Sequence, residues 1–358
     1  MKNYLLILAG GKGNRLWPIS TTKLPKPFVN LCGNEIMINE TIRRVEKIFD
    51  YENIFVIINE EQKDLAERYI DNKIPRENII TEPQMRNTAM CIFLSTLKIK
   101  KMKGDGIVAV LSSDHYIEEE EKLQSNILNA IEIAQKDDNI VTLGITPTYP
   151  ATGFGYIKYE KVEDTDVYYR VSEFREKPNY EKAVEFVNSG EYAWNSGMCV
   201  WNIETILQKF QKHLPDIYKF ADVLYNALLT EEESEIVKKV YENVETISID
   251  KGILEKTTSI KMIKADFKWM DVGSIKSLFE VHKKDKNSNV IIGDSIVNNV
   301  SHSNILNKSE ELLITIGVED ISIIKNNNVC IVCSNDCIDE IPKIHEYIKN
   351  QDKYKRFM

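Results

Sequence analysis

The sequence predicts an α/β fold, a mostly parallel, doubly wound mixed sheet with a small β-rich domain behind it. Three observations carry that expectation. Short β-branched runs alternate with helical spacing up to about residue 110, the pattern of parallel strands joined by crossover helices. A bare, basic, glycine-rich stretch leaves the first of these runs. From about residue 287, short apolar dyads between Asn, Ser, Gly and Asp replace the longer periods, as in stacked short strands.

The elements follow in order. The runs "LLILA", "NIFVII", "NIIT" and "GIVAVL" read as strands. Residues 35–49 place Ile38, Ile42, Val45 and Phe49 at near-helical spacing, and residues 87–101 read as a second helix. In a sheet of this kind the ligand sits beyond the carboxyl ends of the strands, and the stretch 10–15 leaves that edge. From about 140 to 285, the strands "IVTLGIT", "GFGYIKY", "YYRVSEFREK" and "MCVWNI" mix with a helical, charged segment over 203–243. The tail closes with a helix near 339–350, and "IKNNNV" reads as a turn.

Length and charge narrow the function. A chain of 358 residues suggests one large domain, 1–286, and a smaller one, 287–358. A net charge of −9 excludes a general nucleic-acid binder, so an anion site must be a local cluster of positive charge. The longest apolar runs have strand length, well below the roughly 20 residues of a membrane span. The apolar start is too short for a signal peptide and runs into "GGKGNR", so a cytoplasmic protein without a membrane partner is expected. The six cysteines read as free thiols. Zinc wants four ligands, and Cys330, Cys333 and Cys337 have only His345 for company, so they read as cysteines in a strand and the turn after it.

The stretch "LAGGKGNRLWPISTTKLPKPF" (8–28) carries the first chemistry. Successive glycines let backbone N–H groups converge on phosphate oxygens, which makes Gly10, Gly11 and Gly13 candidates. Neither G-x-G-x-x-G opening a helix nor G-K-[ST] closing the loop is present. Arg15 offers a fork for a pyrophosphate, Lys26 a point charge, and Pro25 and Pro27 fix the backbone around Lys26. The same residues would also make a tight turn with solvated charges.

This stretch resembles the signature of the sugar-1-phosphate nucleotidyltransferases, and within them of the mannose-1-phosphate guanylyltransferases. Six further segments are similar in order: "TEPQMRNTA" (81–89), "LSSDHYI" (111–117), "GITPTYPATGFGYI" (144–157), "FREKPN" (174–179), "WNSGMCVWN" (194–202) and "KWMDVGS" (268–274). Thr21 stands where the family has Arg, Ser112 where it has Pro, and the C-terminal segment matches only loosely.

The resemblance implies a Rossmann-like nucleotidyltransferase fold with a C-terminal left-handed β-helix-like domain, and a homodimer. It implies GTP and mannose 1-phosphate as substrates and Mg²⁺ as cofactor. Arg15, Lys26, Asp114 and Asp271 would be catalytic, with Asp114 and Asp271 on the metal. Read alone, each aspartate could equally cap a following helix. Leu8, Ala9, Gly10, Gly11, Gly13, Glu82, Arg86, Asn87, Thr88 and Ser113 would bind the nucleotide. Guanine's N–H groups want an acceptor such as Glu82, while Asn87 could merely cap its helix. Gly153, Gly155, Glu176, Lys177 and Asn195 would hold the sugar phosphate; "FREKP" could also be a strand end with solvated charges. Trp194 and Trp201 read as core. Another sugar 1-phosphate, such as a manno-heptose, and a non-catalytic regulatory homologue are the alternatives. No isomerase segment of the kind fused to some longer relatives is expected.

Overall fold

In the computed structural model the chain forms two compact units. The first comprises Met1–Gly10, Ile42–Ser113 and Ile117–Trp269; the second comprises Gly11–Thr41, Asp114–Tyr116 and Met270–Met358. The structure describes all residues except Lys12, Asn34, Asp137, Asp164 and Met358.

In chain order the strands begin with β1 (Lys2–Leu8), β2 (Ile54–Asn59), β3 (Ile79–Glu82), β4 (Gly106–Ser112) and a short β5 (His115–Ile117). They continue with β6 (Ile140–Ile145), β7 (Tyr156–Val162), β8 (Thr165–Arg175), β9 (Tyr192–Asn202), β10 (Ile260–Ala265) and a short β11 (Trp269–Asp271). Without β5 and β11 they build the nine-stranded sheet of the first unit, in the order β3-β2-β1-β4-β9-β6-β10-β8-β7. Tyr4, Leu5, Leu6 and Ile7 of β1 are fully buried, as a strand covered on both faces must be. Parallel pairing joins β3, β2, β1 and β4. Beyond β4 the expectation of a mostly parallel sheet needs correcting. There β9 is antiparallel to β4, β6 and β7, and β8 is antiparallel to β7 and β10, while β6 and β10 are parallel. The cause is connectivity: a hairpin such as β7–β8 needs no crossover helix and yields antiparallel neighbours.

The helices α1 (Met37–Val45), α2 (Lys63–Tyr69), α3 (Asn87–Lys103), α4 (Glu120–Lys136) and α5 (Tyr180–Ser189) come next. The 203–243 segment is helical but broken into α6 (Ile203–His213), α7 (Pro215–Tyr218), α8 (Ala221–Ala227) and α9 (Glu233–Glu242). Pro215 at the first position of α7 marks one break, since proline cannot continue the preceding helix. A one-turn α10 (Ile249–Gly252) follows. Phe93, Leu94 and Leu97 of α3 share a core with Phe210, Leu224 and Val240.

The second unit is β-rich from Val290, in keeping with the β-rich tail expected from about residue 287. It contains α11 (Ile275–Glu280), β12 (Val290–Ile292), β13 (Ser295–Asn298), β14 (Asn304–Asn307), β15 (Leu313–Ile316), β16 (Ile321–Asn326), β17 (Val329–Ser334) and α12 (Ile341–Lys349). β12, β14 and β16 stack in parallel, so that Ile291, Ile305 and Ile323 fall in one row. β13 and β15 make a second parallel pair, and β17 returns antiparallel on β16. Val290 and Ile292 of β12, Leu306 of β14 and Ile324 of β16 join Leu16, Trp17, Ile19 and Val29 in one core. Trp17 Nε1 donates to the Phe357 carbonyl at 2.9 Å, and Asn326 Nδ2 to the Pro18 carbonyl at 2.6 Å. Cys330 and Cys333 lie in β17 and Cys337 in the turn after it. His345 lies against the Trp17 ring, 5.5 Å between centroids. Among the described residues no helix is long and apolar enough to cross a membrane.

Candidate active site

In the second unit the glycine-rich loop is shaped around Lys26. Gly13 has φ +70°, and a Cβ there would lie 2.6 Å from the Lys26 Cβ and 2.8 Å from Ser20 Oγ. Only glycine satisfies both demands. Lys26 opens a short 3₁₀ turn behind Pro25, with Pro27 next. The alternative reading, a tight turn with solvated charges, would leave Lys26 to solvent. Instead its side chain is only 5% exposed, with Nζ 2.8 Å from Asp114 Oδ2 and 3.0 Å from Asp271 Oδ1. Burial works against its charge, but the two carboxylates win and hold its pKa above the usual lysine value. Burial likewise pushes Asp271 up, while Lys26, His115 and Arg15 bring it below the usual carboxylate value overall. Arg15 itself is exposed. A Cβ on Gly273 would lie 3.2 Å from Arg15 Nη2 and 3.7 Å from Asp271 Oδ1, so guanidinium and carboxylate approach the same bare backbone.

Neither aspartate caps a helix. Asp114 occupies the turn between β4 and β5, and the cap of α11 is Ser274, which accepts from Ser277 N. Two carboxylates converging on one cation fit a divalent metal with oxygen ligands. Among the described residues no cluster of three or more His, Cys, Asp and Glu side chains forms, so further ligands would come from substrate and water.

In the first unit Glu82 ends β3 with its carboxyl buried. Its Oε2 accepts from the Tyr241 hydroxyl at 3.2 Å, and a Cβ on Gly10 would lie 3.1 Å from Oε1. Burial pushes the Glu82 carboxyl up to about 7, against the pull of the Tyr241 hydrogen bond. Asn59 Nδ2 holds the Gly10 carbonyl at 2.8 Å. Several expected backbone contacts are already engaged in the fold: the Leu8 carbonyl accepts from Ser113 N, and Ala9 N donates to Ile57. Gly11 is exposed, with nothing within 4 Å of a Cβ there. Arg86 Nε donates to the Tyr241 carbonyl at 2.7 Å, and Thr88 Oγ1 accepts from Ile249 N at 2.9 Å. Asn87 is exposed, has φ 62° and accepts from Thr88 N at 2.8 Å.

A second cluster of this unit gathers Gly155, Glu176, Asn195 and Asp250. A Cβ on Gly155 would lie 2.8 Å from Glu176 Oε2 and 3.4 Å from the Asn195 Cβ, whereas one on Gly153 would meet open space. Asn195 Nδ2 donates to Asp250 Oδ1 at 2.9 Å, and the exposed Lys177 pairs with Glu176 at 2.6 Å. Burial, then the neighbouring Glu176 charge, pushes Asp250 up to about 6. Trp194 and Trp201 are core; Trp194 packs edge-on against Tyr149 and Phe154. Sequence reading missed Asn59, Tyr241 and Asp250. Only "SIDKG", with Ser248 capping α10, carries any local signal for Asp250, and that signal says helix start.

The nucleotidyl transferase family model matches residues 4–288. A mannose-1-phosphate guanylyltransferase of Salmonella montevideo is 34% identical over 98% of this chain and 74% of its own length. One of Escherichia coli is 36% identical over 96% of this chain and 75% of its own. A crystal structure from Thermus thermophilus, described as a mannose-1-phosphate geranyltransferase, superposes with a TM-score of 0.87 at 28% identity, covering 98% of this chain and 100% of that one. With the match spanning most of its length, the chain belongs to the nucleotidyl transferase family.

Proposed function

We propose that the protein is a mannose-1-phosphate guanylyltransferase, joining GTP and α-D-mannose 1-phosphate into GDP-mannose and diphosphate. The observation that carries this is the Lys26 ammonium clasped by Asp114 and Asp271, with Arg15 over the adjoining Gly273 backbone. A sugar-phosphate oxygen attacks the α-phosphorus of GTP in line, the bond from that phosphorus to the oxygen of the β-phosphate breaks, and diphosphate leaves. The nucleophile is anionic at neutral pH, so no general base is needed. Placement of two anions and neutralisation of the leaving charge do the catalysis.

Arg15 and Lys26 would hold the phosphates, with the amides of Gly11 and Gly13. Asp114 and Asp271 would hold Mg²⁺, which when bound supplies charge for the phosphate oxygens. Glu82 would accept from the guanine edge, and Leu8, Ala9, Gly10, Asn87, Thr88 and Ser113 would line the nucleotide. Glu176, Asn195 and Asp250 would bind hexose hydroxyls, Lys177 the sugar's phosphate, and Gly153 and Gly155 would keep the loop low. We assign catalysis to 1–286 and a bracing role to 287–358. The parallel rows of β12, β14 and β16 support a β-helix-like coil for the latter, and its left hand rests on the family resemblance alone. A cytoplasmic homodimer completes the reading.

The test is diphosphate release from purified protein with Mg²⁺, each of the four nucleoside triphosphates and a panel of sugar 1-phosphates. GTP with mannose 1-phosphate should be the best pair. No release with any pair, or a clear preference for another base, would overturn the assignment.

A further inference from the structure

The segment 82–88 was expected to turn its polar side chains toward the base, but most of them face inward. Arg86 reaches the Tyr241 carbonyl at 2.7 Å and Thr246 Oγ1 at 3.4 Å. Ala89 N donates to the Ile247 carbonyl at 3.2 Å, beside the Thr88 contact with Ile249. These bonds tie the start of α3 to the chain that leaves α9. Tyr241, at the end of that helix, is completely buried and spends its one hydroxyl on Glu82 Oε2. The other oxygen, Oε1, is the one that faces the backbone of Gly10. The carboxyl is thus held by one edge with the other directed to Gly10.

We propose that Tyr241 and Arg86 are positioning residues for base selection: Arg86 anchors Tyr241, and Tyr241 fixes Glu82 so that Oε1 meets the guanine edge. This rests on the guanylyltransferase reading above. The chemistry of the choice is direct. Guanine offers two adjacent donors, N1–H and the exocyclic amine, to a carboxylate. Adenine offers one acceptor and one donor, which a charged carboxylate meets badly and a protonated one meets well. A hydroxyl donating to Glu82 favours its charged form. The titratable groups that face Glu82 are Tyr241 on α9 and Cys91 on α3, and burial holds both well above their usual values, so both stay neutral near pH 7. Glu82 is then the group that titrates, and preference for GTP over ATP should rise between pH 6 and 8.

The experiment measures GTP and ATP binding by calorimetry between pH 6 and 8.5, with turnover alongside, for the full chain and three variants. Tyr241→Phe removes only the hydroxyl. It should weaken GTP about fivefold at neutral pH, the effect of one hydrogen bond, leave ATP binding no weaker than the parent's and move the pH step upward. Arg86→Lys keeps the charge but cannot reproduce the bond from Nε. It should raise KM for GTP with kcat within about twofold. Parent-like GTP binding and an unmoved pH step in Tyr241→Phe would overturn the proposal. Should that variant fail to fold, Glu82→Gln decides: its GTP binding should be weak and flat with pH, and a surviving pH step places the titrating group elsewhere and overturns the proposal. Binding is read without catalysis. A parent that binds GTP but releases no diphosphate therefore counts against the guanylyltransferase reading, while an unchanged Tyr241→Phe counts against this inference alone.

Discussion

Lys26 shows how residue-scale burial changes an expectation. On sequence grounds Lys26→Ala should cost turnover much more than stability, because Lys26 sits on a loop that a charged ligand should organise. Clasped between two carboxylates and 4% exposed, Lys26 instead neutralises Asp114 and Asp271 inside the second unit. Its removal leaves two partly buried like charges side by side. Lys26→Ala should lower stability by about 2–4 kcal/mol and turnover by about 10²–10³, read by thermal melts and diphosphate release. A melt unchanged from the parent would contradict the clasp. Because an ammonium already sits between Asp114 and Asp271, Mg²⁺ alone should bind weakly and GTP should tighten it. Asp114→Asn and Asp271→Asn should each remove most activity, and the pair together should do little more, since parts of one unit are not additive. Near-normal turnover in Asp271→Asn at saturating Mg²⁺, with Asp114→Asn inactive, would take Asp271 out of the metal site. Glu82 gives a stability prediction of opposite sign. Its carboxyl titrates near 4.5 when unfolded and about 7 when folded, so the fold keeps a proton that the unfolded chain has lost. Stability therefore falls as pH rises from 4.5 to 7 and then levels off. Glu82→Gln escapes this, and its advantage over the parent should grow between pH 5 and 8 by at most about 3 kcal/mol. Equal advantage at both pH values would refute the buried-carboxyl account.

At the scale of elements, the spacing and length of apolar residues were a good guide to the helices. The helix expected over 87–101 is α3, and the one over 35–49 is α1 with a following turn. Periodicity failed where chain direction mattered, because strand burial reads the same in parallel and antiparallel neighbours. The glycine loop is a backbone element set by one conformation. Gly13→Ala places a methyl 2.6 Å from the Lys26 Cβ at φ +70°, so loop and lysine cannot both keep their places. We expect a loss of about 1–3 kcal/mol together with reduced GTP turnover. Gly11→Ala, with open space around its Cβ, should be far milder in melting temperature. Equal effects of the two would show that the loop is not shaped around Lys26.

Across the whole molecule, the C-terminal strands matter through the core they share. Leu16, Trp17 and Ile19, next in sequence to Arg15, bury against Val290, Leu306, Ile324 and Ile341. Truncation at residue 286 should therefore expose that core, lower the melting temperature and abolish turnover. A shortened chain with parent-like melting and activity would refute the bracing role. The sequence by itself determined the strand and helix alternation, the glycine-rich basic loop, the two distant aspartates as candidates and the β-rich tail. Each is written in local spacing or in a short stretch of characteristic chemistry. Only the tertiary structure decided that Lys26 is clasped and buried, that Arg86 bonds the Tyr241 carbonyl, and that Asp250 joins Asn195. Those outcomes depend on contacts between residues 55 to 245 positions apart. Burial and pKa follow from such neighbours, which no local pattern encodes.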